Sequence, residues 1–156
     1  MDAYTLIKTL HVIGATVIFG TGAGIAFFML MAHRTRDAAA IAHTAGVVVI
    51  ADWTFTATAV ALQPVTGYVL ARMDGLPLLH GWLGVSLGLY VLAGLCWLPV
   101  VWIQTRLRNL ARQAAAAGSP LPEAYFRLFR LWFVLGVPAF LAVLAIIWLM
   151  VAKPSL

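Results

Sequence analysis

The sequence predicts an all-α, polytopic membrane protein, a bundle of four transmembrane helices. Three observations carry that prediction. Hydrophobic residues make up 63% of the chain and charged residues only 10%, whereas soluble domains carry roughly a quarter charged residues. The apolar residues fall into four runs, each near or beyond the about 20 residues a helix needs to cross a bilayer. Lysine and arginine cluster at the ends of those runs, as they do in loops beside a membrane. Strands are excluded because the runs are too long and an open sheet leaves backbone groups unpaired in lipid. A 156-residue chain so composed is a single membrane domain, residues 1–156. Its net charge of +5, placed at helix ends, does not point to nucleic acid.

The first span covers about residues 4–32. Its core from Thr9 to Ala32 has no formal charge, is rich in glycine and holds His11. That core is too long for the apolar region of a secretory signal, and no small-residue cleavage pattern closes it, so it reads as a retained helix. The second span is about 47–71 and has Asp52 near its start. The third is about 78–104, after the turn Met73-Asp74-Gly75-Leu76-Pro77. The fourth is about 131–152, ended by Lys153-Pro154. Loops then fall at 33–46 and 105–130. Arg34 and Arg36 lie in the first loop, and Arg106, Arg108, Arg112, Arg127 and Arg130 in the second. The other side has Lys8, Arg72 and Lys153. Seven against three predicts cytoplasmic loops with both termini outside, hence a multi-pass protein of a bacterial inner membrane with periplasmic ends.

The longer loop is itself expected to be helical. TRLRNLARQAAAA prolongs the third helix, Gly118 stops it, and Ser119 and Pro120 are suited to a restart. The aromatic and basic stretch AYFRLFRLWF then reads as an interfacial anchor for the fourth span, the alternative being a basic surface for a partner. Pro64, Pro99 and Pro138 sit inside spans and free the carbonyls of Val60, Leu95 and Val134, groups that Thr, Ser or water can satisfy. Gln63 and Thr66 beside Pro64 read as a tie between helices. Cys96 is the single cysteine, so no intrachain disulfide forms and a small core residue is expected.

Helical periodicity puts Tyr4, Lys8, His11, Gly14, Ala15, Ile18 and Gly22 on one face of the first span. Gly20 and Gly24 fall on the other, a small-xxx-small pair suited to a different neighbour. A helix with small residues on both faces is expected to be central, with His11 inward. Leu79-His80 followed by Gly81, Gly84 and Gly88 echoes Leu10-His11 followed by Gly14, Gly20 and Gly22, an arrangement that brings both histidines toward the outer face. An imidazole beside glycines suits haem b, because the histidine supplies an axial bond and missing side chains admit the macrocycle. His11 and His80 are thus the candidate iron ligands, with Lys8, Gly14 and Gly22 around the cofactor and Lys8 toward a propionate. The alternative is a histidine hydrogen-bonded to a neighbouring helix.

Three other polar features have more ordinary readings. His33 and His43 flank the first loop and, without a cysteine, read as solvated residues in preference to a metal pair. Asp52 reads as an interfacial acid paired with an arginine, with a proton relay as the alternative. The scattered Met29, Met31, Met73 and Met150 make no soft-ligand path for copper. Soluble-enzyme motifs such as a phosphate loop, CxxC or HExxH are absent.

IKTLHVIGATVIFGTGAG, ADWTFTATAVALQPVTGYVL and GWLGVSLGLYVLAGLCWLPVVWIQ together resemble a bacterial membrane family of unknown function, domain of unknown function 2269, over nearly the whole chain. More distantly they resemble the four-helix protoporphyrinogen IX oxidases and the copper-resistance D-type membrane proteins. The shared marks are Lys8-Thr9-Leu10-His11, Pro64 with Gly67, and Gly81-Trp82-Leu83. The oxidase resemblance implies haem b on His11. The positions of that family's third-span histidine and lysine read Gly84 and Ser86 here, so the resemblance does not carry the oxidase reaction over. The expectation is a haem-binding membrane protein with an electron-transfer role, in a lipid bilayer with a second copy or a membrane redox partner. The alternative is a cofactor-free accessory or assembly protein working through the Gly20/Gly24 and Gly84/Gly88 faces.

Overall fold

The protein is described here by a computed structural model covering residues 2–155. Helix α1 (Ala3–Thr35) is started by Asp2, whose carboxylate accepts from the Thr5 amide at 2.7 Å, satisfying one of the free N–H groups of the first turn. That bond holds the Asp2 carboxyl below the usual carboxylate range. Arg36 ends α1 in the left-handed region, and Asp37 then caps α2 (Ala38–Ala51) by accepting from Ala39 N at 2.8 Å. A π-helical turn (Asp52–Thr56) runs without interruption into α3 (Ala57–Met73), so 38–73 is one continuous rod of 36 residues. Helices α4 (Gly81–Ala116) and α5 (Glu123–Ala152) complete the chain. All four rods are long and apolar enough to cross a membrane, and the described residues contain no strand.

The helices outrun the apolar spans. Most of 33–46, read as loop, is helical, and only Arg36 and Asp37 turn the chain. The Asp37 cap and the run Ala38-Ala39-Ala40 account for this, since alanine is the best helix former. Helix α4 continues to Ala116 and stops at Gly118, whose φ of 58° suits a residue without Cβ. Ser119 N bonds Ala114 O and Gly118 N bonds Ala115 O, the paired arrangement that closes many helices. Residues Ser119 and Pro120 lie in the linker; Pro122 is the cap residue of α5.

Packing divides the bundle along its length. Helix α1 lies against α2, α3 and α5, whereas α4 lies against α2 and α5. Met29, Ile41, Ala45, Ile103, Leu107, Ala111 and Tyr125 form a dense core at the end where the arginines gather. At the other end, where the chain begins and finishes, the helices are tied by discrete contacts. Tyr4 Oη donates to Asp74 at 3.3 Å, and the Lys153 ammonium lies over the Trp82 ring. Large apolar side chains such as Phe28, Ile50, Trp53, Leu95, Leu98 and Val134 point outward, as lipid-facing residues do.

Candidate functional site

His11 is half-buried on α1 and faces α3. Its Nδ1 lies 2.8 Å from Thr66 Oγ1, and the Gln63 amide donates to the His11 carbonyl at 2.9 Å. The helices approach closely because two glycines face these side chains. A methyl group on Gly67 would sit 3.3 Å from His11 Cε1, and one on Gly14 would overlap the Gln63 amide nitrogen. The tie between helices expected from Gln63 and Thr66 is therefore present, and His11 is what it holds.

The hydrogen bonds around Thr66 bear on the tautomer. Thr66 Oγ1 is within 2.9 Å of the Leu62 carbonyl and 3.2 Å of the Gln63 carbonyl. A hydroxyl has one proton to give. With that proton on a carbonyl of its own helix, Thr66 accepts from His11 Nδ1–H, and Nε2 retains its lone pair. No bond is made to Nε2 among the described residues. A histidine fixed through one nitrogen with the other left basic is the arrangement found in metal-ligating histidines.

The remaining predicted residues are dispersed. His80 is the exposed cap residue of α4, without a side-chain capping bond, and α1 and α4 do not pack along one another. Gly84, one turn further, holds the chain against itself, since a Cβ there would meet the Leu79 backbone at 2.8 Å. Lys8 is exposed, its ammonium 5.6 Å from the centre of the Tyr4 ring. Gly14 is filled by Gln63 and offers no room to a flat cofactor, whereas Gly22, Gly20 and Gly88 face open space. Gly24 meets only the ring of Phe28 on its own helix, so the Gly20/Gly24 pair packs against no neighbouring helix of this chain. Ser86 is buried and bonds back to the Trp82 carbonyl.

At the arginine-rich end, His33 stacks on Phe129 at 3.7 Å between ring centroids and meets Tyr125 Oη at 3.2 Å. The side chain of His43 is exposed, and the two histidines serve different surroundings. Among the described residues no group of three His, Cys, Asp or Glu side chains is gathered as a metal cluster.

Asp52 departs most from its sequence reading. It is 3% exposed, inside the bundle, and its partner is Trp97 Nε1 at 3.5 Å instead of an arginine. Thr56 and Gln104 are the other side chains beside it. The continuous helix from Ala38 moves the boundary of the second rod well before Asp52, which is why an interfacial position does not result. The π turn was not legible in DWTFT, because no proline or glycine marks it.

Four apolar rods, packed at one end and tied by discrete side-chain contacts at the other, define a polytopic helical membrane protein. The chain belongs to the family described as predicted integral membrane protein (DUF2269), whose profile matches residues 5–154. Neither a curated protein nor a solved structure matches it.

Proposed function

We propose that this integral membrane protein binds haem b through His11 and serves electron transfer in a bacterial inner membrane, with both termini on the periplasmic side. The observation that supports the reading is the His11–Thr66 pair, which fixes the imidazole through Nδ1 and leaves Nε2 as a ligand. The open space beside Gly22, on the His11 face of α1, is compatible with a flat macrocycle, and Lys8, three residues before His11, is the cation on that side. His80 does not fit as a second ligand in this arrangement, so His11 is assigned as the one protein ligand. When bound, haem supplies a one-electron iron couple. The chain's own part is to orient the ligand: Thr66 holds the ring, Gly67 admits it against α3, and Gln63 fixes the backbone that carries it. The excess of arginine on one side supports the orientation.

Oxidised and reduced visible spectra of the detergent-purified protein test the assignment. A Soret band that is lost in His11→Ala and kept in His80→Ala is expected. A colourless, folded protein after expression with adequate haem would overturn it and favour a cofactor-free accessory role. For that role, the unpacked Gly20/Gly24 surface is the candidate contact for a second copy or another membrane protein.

A further inference from the structure

The second polar centre of the bundle is independent of His11. Among the described residues, four buried side-chain atoms have no hydrogen-bond partner: Asp52 Oδ2, Thr56 Oγ1, Gln104 Oε1 and Trp132 Nε1. Asp52 is 3%, Thr56 5% and Gln104 1% exposed, and Thr56 and Gln104 both lie beside the Asp52 carboxyl. Orphaned polar atoms are rare in protein interiors, and here three of them belong to adjacent side chains.

Thr56 differs from a regular helical threonine. A helical threonine ordinarily gives its hydroxyl proton to the carbonyl four residues back, as Thr58 does to Thr54. For Thr56 that carbonyl belongs to Asp52; in the π turn it accepts from Ala57 N–H, and the Thr56 hydroxyl makes no bond to it. Single π turns recur at functional sites.

An ionised carboxylate in this position lacks what it needs. Among the described residues the one hydrogen bond it makes is the long one from Trp97; the Thr56 hydroxyl and the Gln104 side chain lie beside it, with Thr56 Oγ1 and Gln104 Oε1 unbonded, and no cation is among its neighbours. Helix α1 has no charged residue between Lys8 and His33, and α2 has only the exposed His43 as a titratable group. On α3, Arg72 and Tyr68 lie far along the rod. On α4, Tyr90 bonds Val60, Cys96 is half-buried, Arg106 lies over Trp102 on the outside, Arg108 bonds Asn109, and Arg112 reaches α2 at Gly46, six residues before Asp52. On α5, Arg127 and Arg130 are exposed. A buried charge without such compensation is strongly disfavoured. A proton on Oδ2 removes the charge and turns that atom into a donor, for which Thr56 Oγ1 and Gln104 Oε1 are unused acceptors. A bound metal ion fits less well, because three neutral or singly charged oxygens fall short of the six or more a hard cation takes.

We propose that Asp52, with Thr56 and Gln104, forms a proton-binding site inside the helix bundle, protonated in the resting protein and able to exchange its proton with water. Release breaks the Oδ2–H bond, leaves its electron pair on the carboxylate and passes the proton to water. The trait is separate from haem binding, since neither centre shares a residue with the other.

Infrared spectroscopy of the full chain in detergent or lipid vesicles reads this directly. The other carboxyl side chains, Asp2, Asp37, Asp74 and Glu123, are all exposed, so at neutral pH a protonated-acid carbonyl band reports Asp52. The band is expected at neutral pH, is expected to shift in D2O, to fade at alkaline pH and to be lost in Asp52→Asn. Gln104→Leu is expected to move the band without abolishing it. Carbodiimide treatment of the unmodified protein, followed by peptide mass mapping, gives the same answer without a variant: labelling at Asp52 is expected. No acid band, no labelling, or a band indifferent to both pH and D2O would overturn the proposal. So would a band removed by sodium at constant pH, which would make the site one for a metal cation.

Discussion

The His11–Thr66 bond gives a prediction whose size can be worked out. Thr66→Val keeps the shape of the side chain and removes its oxygen, and His11→Ala removes the other partner. Thr66 is 5% exposed, so water does not readily replace the lost group. Hydrogen bonds between helices in bilayers average about 0.6 kcal/mol and reach about 1.7 kcal/mol in double-mutant cycles. At 2.8 Å, with an imidazole held against Gly67, this bond belongs in the upper part of that range. A coupling of about 1–1.5 kcal/mol is therefore expected, a factor of about 5 to 13 in the unfolding equilibrium.

The assay is a double-mutant cycle on unfolding of the haem-free protein in mixed detergent micelles, so that ligand binding does not enter. Thr66→Ser separates the effects further, because it keeps the hydroxyl and is expected to retain most of the coupling. Effects of His11→Ala and Thr66→Val that add to within about 0.3 kcal/mol, the scatter expected of independent sites, would show that the two side chains do not act on each other. The tautomer argument for a free Nε2 would go with them.

Four other outcomes follow from the same structure. Tyr90→Phe removes the donor to the Val60 carbonyl that Pro64 frees and is expected to cost about 0.5–1.5 kcal/mol; in a Pro64→Ala background, where a backbone N–H can take over, the cost should largely vanish. Phe129→Ala removes a ring from the core and from the His33 stack, and a loss of about 3 kcal/mol in unfolding free energy is expected. Gly84→Ala places a methyl group against the Leu79 backbone, which cannot swing aside, so about 1–3 kcal/mol of strain is expected, with faster hydrogen exchange in the first turn of α4. The lowered Asp2 carboxyl stabilises the start of α1 above the usual carboxylate range and ceases to as pH falls through its folded-state value; the protection of the Thr5 amide, the slowing of its exchange relative to an unprotected amide at the same pH, should fall on acidification in the wild type and not in Asp2→Asn.

The four rods were legible because apolar run length is itself the physical requirement for crossing a bilayer. The stop at Gly118 and the freed Val60 carbonyl were legible too, since a glycine C-cap and a helical proline have local consequences. What satisfied that carbonyl was not: Tyr90 lies 30 residues away on α4, and pairing across helices depends on rotation and depth that periodicity leaves open. His11 was singled out correctly as inward-facing, yet its partner Thr66 and the contact with Gly67 needed the register of α1 on α3. His80 illustrates the converse. Its likeness to His11 in local sequence carried no information about cap position, and the helix boundary put it outside.

The rod from Ala38 to Met73 departs from regular α-helix twice, at the π turn and at Pro64. At each place a side chain from α4 reaches across, Trp97 to Asp52 and Tyr90 to Val60. Helix α3 is not packed broadly on α4, so these bonds, more than interdigitated apolar side chains, set the spacing between them. On its other side the same rod holds α1 through Gln63 and Thr66. A single helix with two irregular turns thus carries polar ties to both neighbours, and it does so where the dense core of the arginine-rich end gives out. Irregular backbone within a membrane persists only where side chains or water can satisfy it. That requirement places the two centres of interest, His11 and Asp52, at two levels of one rod, each beside a turn that regular helix geometry would not supply.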